Sequence, residues 1–559
     1  MAHSTPSRAQ ISRGAISRMH VEMRHLLIRG RYKPMGRSGK AMIQSLLSIN
    51  PEIYGSMADK EHVELKGLLY VFQRLPQGIE QCKYIQLITR EGYDTSGFDA
   101  IIPDKRRRNC YRIDDEQMLI EMTRGGSDVY DVLTHLTFMY HEAEKIGRHA
   151  LSANGQPNRT WKMLKKIVSQ ESLDEHQERT ALSYLSTLLG RTYSETSEAL
   201  ASFKSAEGVN DLYSICYWMG KLSLEETIDK SDREISFSTA LREQLGHHTY
   251  GERWADNIKK HLNSLGLIHK KIHIISANMH SIMNCLYARG ALGKSYQSKS
   301  LIDIATLLSD EKNKKSRDKV KKYAIGKGMI LIEDVSGVNI PVQIIDLSKF
   351  TDGEISSDIS SKTKAGSEDV VIVMDYAFGE QAYETMDELL KPYEINHEKV
   401  KLDIGSINIM GKAGILCGEK GDIMIPTAHI FEGSTDNYPF ENAFNPSVLE
   451  GKGLDVYKGP MITVLGTSLQ NKDVLQYFLK SSWQAIGLEM EGAHYQKAIQ
   501  VASKIRHSIS RAVKLRYAYY ASDNPLKTGS TLASGSLGLG GVTPTYTITI
   551  ELLRAILED

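Results

Sequence analysis

Gly487-Leu488-Glu489-Met490-Glu491-Gly492-Ala493 and, further along, Ser522-Asp523-Asn524-Pro525-Leu526 hold the residues best suited to chemistry. Glu491 stands beside Gly492 and Ala493, small residues that let a ligand approach the backbone closely. An apolar strand, Leu515 to Tyr520, delivers Ser522 and Asp523 to its carboxyl end, where open α/β sheets bind ligands. Two carboxylates at element boundaries suit two tasks: gripping a sugar through its hydroxyls (Glu491) and donating a proton (Asp523). Burial among apolar neighbours would favour the protonated form of Asp523. Taken alone, Asp-Asn-Pro is ordinary turn chemistry. Glu489 reads as a helix-start carboxylate favoured by the local dipole. Met490 either lines a sugar pocket or packs in the core.

Several elements must position these groups. Val370 to Asp375 is an apolar strand that enters Gly379-Glu380-Gln381-Ala382 and then a helix ending near Pro392. Ile407 to Leu416 contains Gly411-Lys412-Ala413-Gly414 and is followed by Gly421-Asp422-Ile423-Met424-Ile425-Pro426. Thr467 and Ser468, after the strand Met461 to Leu465, either line the pocket or close the strand. Everything after Asp369 alternates strands and helices, as a parallel or mixed sheet would.

Taken together, these four ordered motifs resemble the purine nucleoside phosphorylase/nucleosidase superfamily, over residues 366–559. The fuller Ser-Asp-x-Pro-Leu form is most similar to the AMP nucleosidase branch. The resemblance implies a three-layer α/β/α catalytic domain in which Met490 and Glu491 hold the ribose. Asp523, with Ser522 beside it, would protonate the purine, and Gly411 to Gly414 would form the family's Gly-x-x-Gly turn. It also implies hydrolysis of the N-glycosidic bond of a purine nucleotide or nucleoside, a homo-oligomer, and no metal or organic cofactor. Phosphorylases of the superfamily hold inorganic phosphate with arginines and a serine near that turn. The aligned positions here are Ile409 and Lys412, so the guanidinium fork suited to an oxyanion is missing. Water is therefore the expected nucleophile, with Glu380 placed to orient it. Lys412 is either a solvated turn residue or a contact for a 5′-phosphate, with Lys527 as another candidate. The alternatives are a phosphate-dependent phosphorylase and a non-catalytic nucleotide sensor.

A chain of 559 residues is too long for one core. The expected divisions are a mainly helical region over 1–265, a small α/β unit over 266–350, a linker over 351–368 rich in Ser, Lys, Gly and acid, and the catalytic domain over 369–559. Gln117–Thr123, Val129–Ile146, Thr160–Val168, Glu175–Leu189 and Glu252–Leu265 show apolar residues at helical spacing. Asp174 and Gly190 suit the two caps of the fourth. Residues 1–40 carry nine Lys/Arg against the single acid Glu22; Ile16, Met19, Met23, Leu26 and Leu27 favour a docked basic helix over a transit peptide.

Apolar residues at 41% and charged residues at 25% suit a soluble globular protein, and no apolar run is long enough to span a bilayer. The net charge of +1 gives no global steering of anions. Five scattered cysteines argue against a disulfide framework or a zinc site and suit a reducing cytoplasm. His135, His141 and His149 lack metal-ligand spacing and read as surface or satisfied core residues. Lys105-Arg106-Arg107-Arg108 reads as a solvated loop rather than a nucleic-acid contact. Gly535 to Gly541 reads as a flexible connector rather than a lid.

Overall fold

The buried apolar run Val370 to Met374, flanked by largely apolar strands, builds the centre of the sheet that carries the candidate residues. The computed structural model describes residues 6–106, 108–170, 174–351, 354–359, 367–434, 436–527 and 537–559. The chain forms two compact units, Met1–His247 with Ser468–Val474, and His248–Thr467 with Leu475–Asp559.

The first unit is not purely helical. It holds a six-stranded sheet in the order 31–32, 234–237, 84–88, 117–121, 110–112, 100–101. Gln117–Glu121, expected as helix, is a strand parallel to Tyr84–Ile88. Its Met118-Leu119-Ile120 run is buried throughout, and so short a run carries no period that tells helix from strand. The other helical segments form as expected. Glu175–Leu189 has an Asp174 capping box and a left-handed Gly190, and Arg8–Arg29 buries Ile16, Met19, Met23 and Leu26.

Lys105 to Arg108 is not a plain solvated loop: Arg106 lies 3.0 Å from Asp131, while buried Arg108 lies 2.6 Å from Asp128 and 3.1 Å from Asp131. Two carboxylates one helical turn apart pair with these guanidiniums; Arg107 is outside the described residues. The three histidines have separate hydrogen-bond partners. His135 bonds Tyr54 Oη (2.7 Å), His141 the Met57 carbonyl (3.0 Å) and His149 the Leu188 carbonyl (2.9 Å).

In the second unit the strands are β1 (Lys271–Ser276), β2 (Ile330–Ile332), β3 (Val342–Asp346), β4 (Val370–Met374), β5 (Asp403–Ile415), β6 (Ile423–Phe431), β7 (Asn437–Pro439), β8 (Val456–Thr463), β9 (Gly487–Glu489) and β10 (Lys514–Asp523). The helices used below are α1 (Thr249–Ser264), α2 (Met279–Leu292), α3 (Leu301–Ser309), α4 (Lys314–Gly326), α5 (Gln381–Leu389), α6 (Gly492–Gln500) and α7 (Val542–Glu558). The sheet runs β7-β6-β8-β9-β5-β1-β4-β3-β2, and β10 pairs with both β5 and β6. Pairings β5–β10–β6–β8–β9–β5 therefore close on themselves, while β1 to β4 extend as an open sheet. β4, β1, β5 and β10 are mutually parallel neighbours, so their carboxyl ends share one edge.

Side chains alternate across this sheet with period two. Ile272, Ile274, Val370 and Ile372 pack with α1, α5 and α6, whereas Ile275, Val371 and Val373 pack with α2, α3, α4 and α7. Helices thus cover both faces.

Two expected boundaries give way. Residues 266–350 are not a separate unit, because β1 lies between β4 and β5 with its backbone paired on both edges. The stretch 351–368 is not simply a linker, since Ile355 and Ile359 enter the core beside α2; residues 352–353 and 360–366 lie outside the described residues. The change of unit falls at His247 rather than 265 because α1 belongs to this core. Trp254 Nε1 donates to the Ile340 carbonyl (2.8 Å) and Lys259 Nζ to that of Glu388 (2.8 Å). Of the Gly-rich stretch, Gly538–Gly541 is a 3-10 turn that leads into α7; Gly535 and Ser536 lie outside the described residues. No helix among the described residues is long and apolar enough to cross a membrane.

Candidate active site

Each of the four parallel strands contributes a group at its carboxyl end. β10 ends in Ser522 and Asp523, with Asp523 fully buried. Its Oδ1 lies 2.6 Å from Ser522 Oγ, which is also 3.2 Å from the Ala413 carbonyl; Oδ2 has no hydrogen-bond partner. Burial pushes the Asp523 carboxyl above the ordinary aspartate range, against the opposing pull of the Ser522 hydroxyl and the Lys412 and Lys420 charges. The result is a carboxyl group biased toward its acid form, with one oxygen left without a partner.

Gly411 to Gly414 do not form a turn. They continue β5, paired with β10 from Gly411↔Tyr519 to Gly414↔Asp523, with a register shift between Ala413 and Gly414. Ladder pairing on the β10 edge, and with β9 beyond Gly414, holds the backbone extended. A Cβ at Gly411 would stand 3.3 Å from the Tyr519 ring, a tight contact that glycine avoids.

Glu491 follows β9 and precedes α6. Its Oε1 accepts from the Gly379 N–H (3.0 Å) and its Oε2 from the Met490 N–H (3.3 Å). Burial first, then the neighbouring Glu489 charge, pushes Glu491 up to about 8, with the two N–H groups and Lys412 opposing. The carboxyl is therefore mostly neutral at pH 7. Met490 beside it is buried.

Glu489 takes the structural role. Its carboxylate accepts from the Glu491 and Gly492 N–H groups at the start of α6 and from Thr463 Oγ1, and His429 Nδ1 stands 3.6 Å away. Burial alone would raise its pKa, but His429 and these donors outweigh it and hold the group below the ordinary range. The glycine at 492 is forced by space, since a Cβ would lie 2.3 Å from His429 Nδ1 and 2.8 Å from Glu489 Oε1. His429 is itself buried and stacked on Phe440, so it has little room to yield. Gly492→Ala should destabilise the protein by about 1–3 kcal/mol through overpacking. Chemical denaturation checks this, and an unchanged unfolding midpoint would contradict the close approach.

Glu380 lies at the start of α5, immediately after Gly379, whose φ is +56° and whose N–H holds Glu491. Glu384, one turn on, is pushed up to about 8 by burial and then by the charges of Glu380 and Glu388. Thr467 is half-buried and ends its segment of the second unit. Ser468 is grouped with the first unit, where it hydrogen-bonds Tyr54. The neighbouring Asn471 shares that unit, and its Nδ2 donates to the Ile49 carbonyl (2.7 Å). Lys527 pairs with Glu419, leaving Lys412 as the better phosphate candidate of the two.

Lys412 is exposed, and its charge acts on both Glu491 and Asp523. It also lines a cleft of about 700 Å³ with Asn278, His280, Ser281, Tyr520 and Ser522. Neither Glu491 nor Asp523 lines that cleft. The sequence reads Ile272 to Asn278 as a short buried strand leading into a helix, but not as part of a site. The Ile272–Ile275 run followed by Ser276, Ala277 and a capping Asn278 was the available signal for a βα turn. Among the described residues no group of three or more His, Cys, Asp or Glu side chains is placed to hold a metal ion.

Fold and site together define a mixed α/β protein with two buried carboxyl groups, both with pKa values raised by burial, near the carboxyl ends of parallel strands. The chain belongs to a family of unknown function, DUF6909, whose model matches residues 40–306 and 302–558. No curated protein matches its sequence. Among solved structures it is similar to a 5′-methylthioadenosine/S-adenosyl homocysteine nucleosidase of Campylobacter jejuni, at 12% identity over 52% of this chain and 100% of that one, with a TM-score of 0.31. A futalosine hydrolase of Helicobacter pylori gives 12% identity, coverages of 52% and 99%, and a TM-score of 0.31. An AMP nucleosidase from Bacteroides thetaiotaomicron gives 14%, coverages of 55% and 97%, and 0.29. At scores of this size the chemistry has to be read from the site itself.

Proposed function

We propose that this protein hydrolyses the N-glycosidic bond of a purine nucleoside or nucleotide. The observation that carries the reading is Asp523: fully buried at a strand end, biased toward its acid form, with Oδ2 unpartnered. In the reaction, Asp523 gives its proton to purine N7 as the C1′–N9 bond breaks, and the bonding electrons leave with the base. General acid catalysis of this kind supplies roughly 10²–10⁴ in rate. Water adds its oxygen to the oxocarbenium-like C1′ and loses a proton to Glu380, which stands next to the Gly379 contact of Glu491. Glu491 accepts hydrogen bonds from the ribose hydroxyls through the lone pairs that Gly379 and Met490 leave open, and Met490 lines the sugar side. Free base and ribose, or ribose 5-phosphate, are the products.

Incubating the purified chain with purine nucleosides and nucleotides, with and without inorganic phosphate, tests this. Phosphate-independent release of free base is the expected result. Turnover that requires phosphate and yields ribose 1-phosphate would select a phosphorylase. Binding without any base release, unchanged by Asp523→Asn, would select a sensor. Assembly as a homo-oligomer belongs to the same proposal, and sedimentation velocity measures it directly.

A further inference from the structure

The 700 Å³ cleft beside Ser522 has a wall whose charge the glycosidic chemistry does not use. It lies on the sheet face covered by α2, α4 and α7. From α4 it receives Lys314, Arg317 and Lys321. These positions are three and four residues apart and fall on one helical face, while Val320 and Ala324 turn into the core. Lys412 faces the cleft from β5. The acids on the lining are Glu311 and Asp318, so four Lys/Arg stand against two carboxylates, with His280 in addition.

These cations differ in how far they are already engaged. Arg317 is fixed by backbone carbonyls: Nη1 donates to Leu308 (2.9 Å) and Asp310 (2.6 Å). Lys321 reaches Glu333 only at 3.9 Å. Lys314 and Lys412 make no ion pair with any described residue. Two exposed ammonium groups without a counter-ion, on different elements but lining one cleft, suit an anion with several oxygens. The start of α2 adds the favourable end of a helix dipole, with Asn278 and Ser281 at the lining. Tyr520, Tyr546 and Val542 supply an apolar wall for the rest of a ligand.

We infer that this cleft binds the phosphate of a nucleotide, anchored by Lys314, Lys321 and Lys412, with Lys412 the anchor whose charge also acts on the two catalytic carboxyl groups. The inference rests on the nucleosidase reading for the identity of the remainder of the ligand. It makes the substrate a nucleoside phosphate rather than a nucleoside, and it gives α4, a helix far from β10 in sequence, a role in specificity.

Titration calorimetry of the full chain at low salt with adenosine 5′-monophosphate, adenosine and inorganic phosphate tests it. The monophosphate is expected to bind at least about tenfold more tightly than adenosine. The double variant Lys314→Glu/Lys321→Glu is expected to lose at least about tenfold for the monophosphate and nothing for adenosine. Lys319→Glu/Lys322→Glu makes the same charge change on α4 away from the cleft and is expected to stay within about twofold of the parent. No binding of the monophosphate, equal affinity for both ligands, or equal losses in the two double variants would overturn the inference. Lysine-dependent binding of inorganic phosphate that the monophosphate does not displace would also overturn it, assigning the cleft to free phosphate. Lysine-dependent binding of the monophosphate without base release from any substrate would leave this inference standing and remove the nucleosidase reading instead.

Discussion

Asp523→Asn should lower base release at least about a hundredfold, the lower bound for losing a positioned general acid. Asparagine keeps the volume, and its side-chain oxygen still accepts from Ser522, but it has no acidic proton to give up to the departing purine. The fold should tolerate the exchange, because Asp523 Oδ2 makes no hydrogen bond that would be lost. Substrate affinity should change far less than turnover, since the proton moves only as the bond breaks. Single-turnover measurement of free base separates the two effects. A variant that releases base at the parental rate would remove Asp523 from the mechanism.

Above about pH 8, where Glu491 is ionised, Glu491→Gln should cost at least about tenfold in kcat/KM, as a hydrogen bond to a charged acceptor is worth about 1.5–3 kcal/mol. The parent enzyme should show kcat/KM rising with pH toward about 8 as Glu491 ionises, and the variant should lack that limb. Stability should move the opposite way. The folded pKa of about 8 lies above the ordinary value of about 4.3, so the native state binds more protons than the unfolded chain between these values. Parental stability therefore falls as pH rises from about 4.3 to about 8 and is flat above. A glutamine has no charge to bury, so the stability of the variant relative to the parent should grow across that window and stop growing beyond it. Denaturation at a series of pH values measures this, and a pH-independent difference would show that burial does not hold the Glu491 proton.

Local signals identified the pieces of the second unit well. The apolar run of β4, the Gly379-Glu380 turn and the helix start at Gly492 are each encoded within a few residues by apolar content and small side chains. The role of Glu489 was also legible, because a carboxylate beside a helix start has few other uses. Signals that depend on a distant partner were misread. Met118-Leu119-Ile120 has no period of its own. Arg106 and Arg108 look solvated until Asp128 and Asp131 are placed against them. The two glycines at 411 and 414 suggest a turn until β10 is seen to pair with β5 from Ser406 to Gly414.

By itself the sequence determined which carboxyl groups stand at element boundaries, because strand ends, small residues and helix starts are short-range properties. Only the tertiary structure decided their ionisation and their company. Burial and the neighbouring Glu489 keep a proton on Glu491, and Lys412 acts on Glu491 and Asp523 together. It also decided that β1, about 100 residues from β4 and about 130 from β5 in sequence, lies between them and brings α2 and α4 to the edge that holds the site. Strand pairing and electrostatic fields act through space, and no local window of sequence contains the partner.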